Sequence, residues 1–157
     1  MKRVVTLKEL VALREDLKKA HKTVVFTNGV FDILHAGHLS LLEKARAFGD
    51  VLIVGVNTDS SARRLKGESR PIVPFRDRTR LLAALRVVDY VVGFSADTPE
   101  KLISKLCPDV LVKGSDYKVA EIAGASKVIA NGGRVERVKL LSDRSTSRIV
   151  KLIREFD

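Results

Sequence analysis

Thr27-Asn28-Gly29-Val30-Phe31-Asp32-Ile33-Leu34-His35-Ala36-Gly37-His38-Leu39 follows a short apolar, β-branched run, Thr23 to Phe26, and leads into Leu39 to Ala47, which has helical spacing. A second buried-strand run, Val51 to Val56, comes next, so the segment reads as a βαβ unit. Asn28-Gly29 ends the first strand, and the two histidines, three residues apart at the start of the helix, share one face. A helix N-terminus carries unpaired backbone N–H groups and partial positive charge. Imidazoles placed there add donors that can be aimed at a phosphate oxygen, and Gly29 and Gly37 allow close approach.

The same alternation continues in both directions. Upstream, Thr6 to Ala20 reads as an amphipathic helix, with Thr6 and Glu9 in capping-box spacing and Leu10, Leu13 and Leu17 on one face. Downstream come a helix near Phe75 to Arg86, a strand at Tyr90 to Phe94, a helix entered by Thr98 and Pro99, and a strand at Val110 to Lys113. A helix around Ala120 to Ala130 stops at Asn131-Gly132-Gly133, a strand runs near Val135 to Leu140, and a last helix begins near Ser145 with Ile149, Ile153 and Phe156 on one face. Strands that are apolar throughout, separated by helix-length crossovers, predict a doubly wound, Rossmann-like α/β fold: a five-stranded parallel sheet with helices on both faces. One domain is expected over 1–157, with 1–22 as a helical extension packed on it. Ligands in such a fold bind beyond the strands' carboxyl ends, where the strand order reverses. The polar stretch Asn57 to Pro74 reads as the longest irregular segment, placed where loops tend to be functional.

Composition narrows the partners. The chain has 157 residues, 45% hydrophobic and 31% charged, which excludes global disorder. Its 29 Lys plus Arg against 19 Asp plus Glu give +10, a charge that asks for an anionic partner without naming one. Only 5% of residues are aromatic and there is no Trp, so a platform for stacking single-stranded nucleic acid has few rings, and no nucleic-acid partner is expected. One cysteine, Cys107, cannot form an internal disulfide, and with no neighbouring histidine in sequence it is not read as a nucleophile. No apolar run approaches the roughly 20 residues of a membrane span, and the start at Met1 has no apolar leader, so a cytoplasmic protein with no membrane partner is expected.

The usual nucleotide fingerprints are missing: no G-x-G-x-x-G follows the first strand and no G-x-x-x-x-G-K-[ST] occurs. Taken alone, the His35/His38 pair has plainer readings, a cap beside a packed ring or two zinc ligands. Zinc is poorly supported, because a site needs three or four ligands and only His21, Cys107 and scattered carboxylates remain. No metal-ligating set is assigned. Ser145-Thr146-Ser147 at the last helix is either a plain N-cap or, with Arg148 following, a second anion site.

The segment Thr27 to Leu39 resembles the H-x-G-H signature of the nucleotidyltransferase superfamily that includes the cytidylyltransferases, and Ser145-Thr146-Ser147 resembles its second signature. The similarity extends through Val56-Asn57-Thr58-Asp59, Lys66-Gly67, Arg70-Pro71, Arg78 with Leu81 to Leu85, Val88-Asp89-Tyr90 and Val112 to Tyr117, nearly the whole chain. These words are most similar to the adenylyltransferases acting on D-glycero-β-D-manno-heptose 1-phosphate, often fused behind a sugar kinase. No kinase half is present here, which suggests a stand-alone form. The resemblance implies that AMP passes from ATP to the sugar 1-phosphate, with release of pyrophosphate, for a surface glycan such as lipopolysaccharide core.

It also implies roles for residues. His35, His38 and Lys66 would be catalytic, holding phosphate oxygens, with Lys66 as a mobile loop lysine. Thr27, Asn28, Gly29, Val30, Phe31, Gly37, Ser145, Thr146 and Ser147 would complete the nucleotide site. Asp32, Arg78, Lys113 and Asp116 would meet the sugar phosphate, although a capping role suits Asp32 equally. Mg²⁺ would be bound mainly through the ATP phosphates, and a homo-oligomer is expected. Two alternatives stay open: a cytidylyltransferase acting on glycerol 3-phosphate or another small phosphate ester, and a non-catalytic basic module binding nucleotide or nucleic acid.

Overall fold

The computed structural model describes residues 3–142 and 144–156, so the outermost positions of the expected domain and of its N-terminal extension lie outside it. Six strands form one sheet: β1 (Val4–Val5), β2 (Val24–Gly29), β3 (Val51–Asn57), β4 (Tyr90–Phe94), β5 (Val110–Gly114) and β6 (Arg134–Val138). Their order is β1-β4-β3-β2-β5-β6 and every pairing is parallel. The sequence predicts five strands. The sixth, β1, lies in the segment expected to be purely helical, and at two residues it is too short to leave a period of its own. It pairs with β4 in the register Val4↔Val91, and Arg3 just before it reaches the carbonyls of Ala83 and Leu85.

Alternation along the central strands sends side chains to two cores. On one face Val24, Phe26, Val51 and Ile53 pack with Leu10 of α1 (Leu7–Lys19), Leu102, Ile103 and Leu106 of α5 (Glu100–Leu106), and Val128 of α6 (Ala125–Ala130). On the other, Val25, Leu52, Val54 and Val56 pack with Leu42 and Ala45 of α2 (Ala36–Arg46) and Leu82 of α4 (Phe75–Ala84). These strands are buried on both sides, which is why they read as unbroken apolar runs. The predicted capping box of α1 is formed: Glu9 N–H donates to Thr6 Oγ1 at 3.2 Å and Thr6 N–H donates to Glu9 Oε2 at 2.7 Å.

Three helices differ from expectation, the one expected around Ala120 to Ala130 being a 3-10 turn at Val119–Glu121 followed by α6, which starts only at Ala125. Asn57 to Pro74 is not irregular throughout, because α3 (Asp59–Lys66) occupies its first half, entered through the Thr58 side chain. Only Ser61 and Ala62 of α3 are buried, so it carries no apolar stripe to read. The last helix, α7 (Thr146–Arg154), has no fully buried residue, and on the predicted apolar face Ile153 is 57% and Phe156, beyond the helix end, 89% exposed. Among the described residues no helix is long and apolar enough to cross a membrane.

β2 lies at the point where the strand order turns, with β3, β4 and β1 to one side and β5 and β6 to the other. The histidine segment leaves the carboxyl end of β2, at the switch point where a ligand crevice forms in open parallel sheets.

Candidate active site

Between β2 and α2 the chain makes a tight turn in which Phe31 (φ 52°) and Ile33 (φ 48°) adopt the left-handed conformation. For a β-branched residue such as Ile33 this is an uncommon, strained state, of a kind that collects at functional sites. The turn delivers His35 to the N-cap of α2. Its Nδ1 accepts the Gly37 N–H at 3.1 Å, which leaves Nε2 to carry the proton of the neutral ring. His38, one turn on, stacks against His35 with ring centroids 3.8 Å apart and planes 24° from parallel, and Phe31 meets its edge at 5.2 Å. Burial lowers the pKa of His35 and pulls that of His38 down to about 4, the neighbouring His35 adding to the shift and Asp32 opposing it. Both imidazoles are therefore neutral at pH 7. His38 Nδ1 is buried with no hydrogen-bond partner among the described residues.

Gly37 is needed where it stands. A Cβ on it would lie 2.8 Å from the Arg144 carbonyl and 2.9 Å from the His35 ring, so only glycine lets the approach to α7 close against the start of α2.

These groups open into a cavity of about 580 Å³, in the range of small-ligand sites. Of the residues expected from sequence, Asn28, Gly29, Val30, Phe31, Asp32, His35, Gly37 and His38 line it from the β2–α2 turn. Lys66, Lys113, Ser145, Thr146 and Ser147 line it from elsewhere. Lys66 is the last residue of α3, not a loop lysine, and it is exposed. Lys113 Nζ donates to the Asn28 carbonyl at 3.2 Å and sits 5.9 Å from the Tyr117 ring centre. Burial brings its pKa down to about 8 against the opposing pull of Asp116. The side-chain oxygen of Asn28 is buried beside it with no partner among the described residues.

The hydroxyls of the second segment divide their roles. Ser145 caps α7, its Oγ accepting the Arg148 N–H at 3.2 Å, so the plain N-cap reading holds for that residue. Thr146 Oγ1 donates to the Asp32 carbonyl at 2.5 Å, while Ser147 is exposed at the cavity wall.

Three expected site residues do not line the cavity. Thr27 is fully buried, and its hydroxyl donates to the Val112 carbonyl at 2.9 Å, joining β2 to β5. Arg78 is buried, and each of its three guanidinium nitrogens has a protein partner. Its Nε donates to the Val73 carbonyl at 2.9 Å, one terminal nitrogen to the Val30 carbonyl at 2.5 Å, and the other to Asp59 Oδ1 at 2.7 Å. Asp116 is exposed outside the cavity and bears on it only through its charge near Lys113.

Asp32 does line it, but its carboxylate is taken up by protein. Oδ2 accepts Arg70 at 2.7 Å, and the N–H groups of Ile72 and Val73 donate to the same carboxylate at 3.0 and 2.9 Å. Burial works against the charged form, yet the Val73 and Ile72 N–H groups and the Arg70 guanidinium outweigh it and hold Asp32 below the ordinary carboxylate pKa. The cavity also takes in residues the sequence reading missed, among them Arg70, Asn57, Tyr117, Glu121 and Arg144. Asn57, Arg70 and Tyr117 stand in the words that carry the family resemblance, and Arg144 directly precedes the second signature, which was the signal available for them. Among the described residues no three His, Cys, Asp or Glu side chains form a group that could hold a metal ion.

With this geometry in view, comparison with known proteins decides the family. Residues 26–152 match the cytidylyltransferase-like family model, a span that runs from β2 through both signatures and most of α7. The chain belongs to the cytidylyltransferase-like family. Among its members it is 51% identical over 150 residues to the bifunctional protein HldE of Citrifermentans bemidjiense, covering 94% of this chain and 31% of that protein. With HldE of Salmonella arizonae it shares 53% over 150 residues, covering 96% and 31%. The chain thus spans about a third of the length of the curated relatives it matches. Among solved structures, the lipopolysaccharide core biosynthesis protein from Thermoplasma volcanium is 34% identical, with a TM-score of 0.64 over 76% of this chain and 97% of that one. A pantoate-beta-alanine ligase from Francisella tularensis shares the fold, with a TM-score of 0.67 at 17% identity over 98% of this chain and 77% of that one. As a member of this family the chain is a nucleotidyltransferase.

Proposed function

We propose that this nucleotidyltransferase transfers AMP from ATP to D-glycero-β-D-manno-heptose 1-phosphate, releasing pyrophosphate and forming ADP-heptose. The observation that carries the reading is the stacked, neutral His35/His38 pair at the α2 N-terminus, facing the Ser145–Ser147 segment across one cavity lined by Lys66 and Lys113. The half-identity to the HldE proteins supports the heptose substrate, and the name of the Thermoplasma relative supports a place in surface-glycan assembly.

A phosphate oxygen of the sugar phosphate attacks the α-phosphorus of ATP in line. The new P–O bond forms as the bond to the β-phosphate bridging oxygen breaks, and that oxygen's electron pair leaves with pyrophosphate. The nucleophile is already an anion, so no general base is assigned. The protein's work is to position the groups and to stabilise charge. His35, through Nε2–H, and His38 donate to α- and β-phosphate oxygens, where charge grows as the leaving group departs. The α2 N-terminus adds unpaired backbone donors. Ser147 and the start of α7 hold the far side of the triphosphate, and Lys66 and Lys113 neutralise phosphate charge. Mg²⁺ would be held mainly through the ATP phosphates and would shield their charge, the Asp32 carboxylate being already occupied by Arg70, Ile72 and Val73.

The test is pyrophosphate release by the purified protein with Mg²⁺, crossing ATP and CTP with heptose 1-phosphate and glycerol 3-phosphate. Release with ATP and the heptose alone is the expected result. Release with CTP and glycerol 3-phosphate instead would overturn the substrate assignment.

A further inference from the structure

Two arginines border the phosphate turn, and they are in opposite states. Arg78 has a protein partner on every guanidinium nitrogen, Val73, Val30 and Asp59, with its side chain sealed from solvent. Arg70 lines the cavity with 18% of its side chain exposed, and among the described residues its guanidinium makes one hydrogen bond, from Nη1 to Asp32 Oδ2 at 2.7 Å. A guanidinium offers five donors in a planar fork suited to two oxygens of one phosphate. The buried polar atoms without a partner do not include the Nε or Nη2 of Arg70, so these nitrogens stay accessible at the cavity wall, where an anion can meet them.

What fixes Arg70 is equally specific. The Asp32 carboxylate, 5% exposed at the side chain, receives the N–H groups of Ile72 and Val73 as well as Arg70, so it is anchored to the segment that carries the arginine. That leaves Asp32 poorly placed to meet a sugar hydroxyl itself. A carboxylate that grips one nitrogen of a guanidinium and is itself held by backbone donors orients the rest of the fork, just as carboxylates orient ligating histidines from behind.

The other acids bordering the cavity do not cancel this charge. Asp97 is paired with Arg64 at 2.7 Å, and Glu121 lies 4.0 Å from Lys118.

We propose that Arg70 is a phosphate-binding residue of this site, presented into the cavity by Asp32 as its positioning residue. Its ligand is a phosphate group, and two sources share that chemistry: the triphosphate of ATP and the phosphate of the sugar. The inference rests on the reading of a nucleotidyl-transfer site, but only for the name of the anion.

Binding of ATP, heptose 1-phosphate and inorganic phosphate to the purified full chain, measured by calorimetry, tests it. Arg70→Met keeps the stem and removes the fork. It should weaken at least one of the three by about ten- to a hundredfold, as loss of a charge-assisted pair does. Arg70→Lys should restore part of the loss, and Asp32→Asn should reproduce it in a protein that still melts cooperatively. Loss confined to ATP assigns Arg70 to the triphosphate, and loss confined to heptose 1-phosphate assigns it to the acceptor. Unchanged affinity for all three in Arg70→Met, with only the melting temperature lowered, would reduce the residue to a tie between loop and turn and overturn the proposal. If the wild-type protein releases no pyrophosphate with the heptose, the function above fails, while the ATP and inorganic-phosphate arms still decide the role of Arg70.

Discussion

The hydroxyl of Thr146 donates to the main-chain carbonyl of Asp32 at 2.5 Å, joining the start of the last helix to the phosphate turn across 114 positions of sequence. Among the described residues no side chain of α7 is fully buried, with Thr146, Ile149 and Val150 half-buried. This bond and the close approach of Gly37 to the Arg144 carbonyl tie the two signatures together. Thr146→Val keeps the shape and removes the donor, leaving the Asp32 carbonyl unpaired at a cost of about 1–2 kcal/mol. The expected result is a small fall in melting temperature with a larger fall in turnover, of roughly tenfold or more, because misplacing one side of a phosphate clamp weakens the transition state. Thr146→Ser should retain most activity. Steady-state kinetics alongside thermal melts separate the two effects, and equal turnover in Thr146→Val and wild type would dismiss the link.

Arg78 is a structural post. Removing it with Arg78→Met leaves Asp59 without its guanidinium and the Val30 and Val73 carbonyls without donors, so a loss of about 3–5 kcal/mol is expected. Lysine cannot reach three acceptors lying in different directions, so Arg78→Lys should rescue little. Urea unfolding measures both variants. A midpoint near that of the wild type would show that the three bonds contribute less than their burial implies.

That assignment marks the limit of what sequence could tell. The arrangement of β2, α2 and β3 was readable because strands buried on both faces are apolar throughout, and His35 and His38 were readable because a three-residue interval in a helix puts two rings on one side. Arg70 and Arg78 look alike in sequence, two arginines in a polar region. Only the fold shows that one spends its donors on protein carbonyls and the other does not. Thr27 misled for a related reason: it sits in the signature, yet strand alternation turns its hydroxyl to Val112. The sixth strand and α3 escaped notice because one has two residues and the other buries only two.

Replacing His38 by alanine removes one ring of the stacked pair and should leave the sheet intact, since the ring packs on His35 and on the edge of Phe31 at the cavity wall and not on the strands. Loss of a donor to charge developing on the leaving group lowers turnover by about 10²–10³-fold. The KM for ATP should change much less than kcat. Circular dichroism and pyrophosphate release on the same preparation provide the check, and turnover within a fewfold of wild type would remove His38 from the catalytic set.

Phosphate binding should also depend on Lys113 in the alkaline range. Its pKa of about 8 means that the ammonium begins to lose its proton in the folded protein well before the ordinary value of 10.5. Affinity for an anionic substrate is expected to fall as pH rises from 7 to 9, by up to about tenfold for loss of one charged hydrogen bond in a partly buried site. Lys113→Met should bind weakly at pH 7 and lose this alkaline limb. Calorimetric titration of ATP and heptose 1-phosphate across that interval reads it, and parallel pH curves for variant and wild type would exclude the lysine.

The free protein should lose stability on the acid side because of His38. Its folded pKa of about 4 lies below the ordinary 6.5, so between these values the unfolded chain binds a proton that the native state refuses. Stability therefore rises with pH through this window: the contribution is complete above about 6.5, declines as pH falls, and is gone below about 4. The difference amounts to about 3 kcal/mol, and His35, shifted in the same direction, adds to it. Asp32, held low by its N–H and Arg70 partners, loses its own contribution only at more acid pH, as pH falls from its ordinary 3.8 through its lowered folded value, so the two effects separate along the axis. Urea midpoints for wild type and His38→Asn, measured between pH 4 and 7.5, should converge at the acid end, with the variant showing the shallower slope. If the two slopes are the same, the buried ring is not what sets the acid limit.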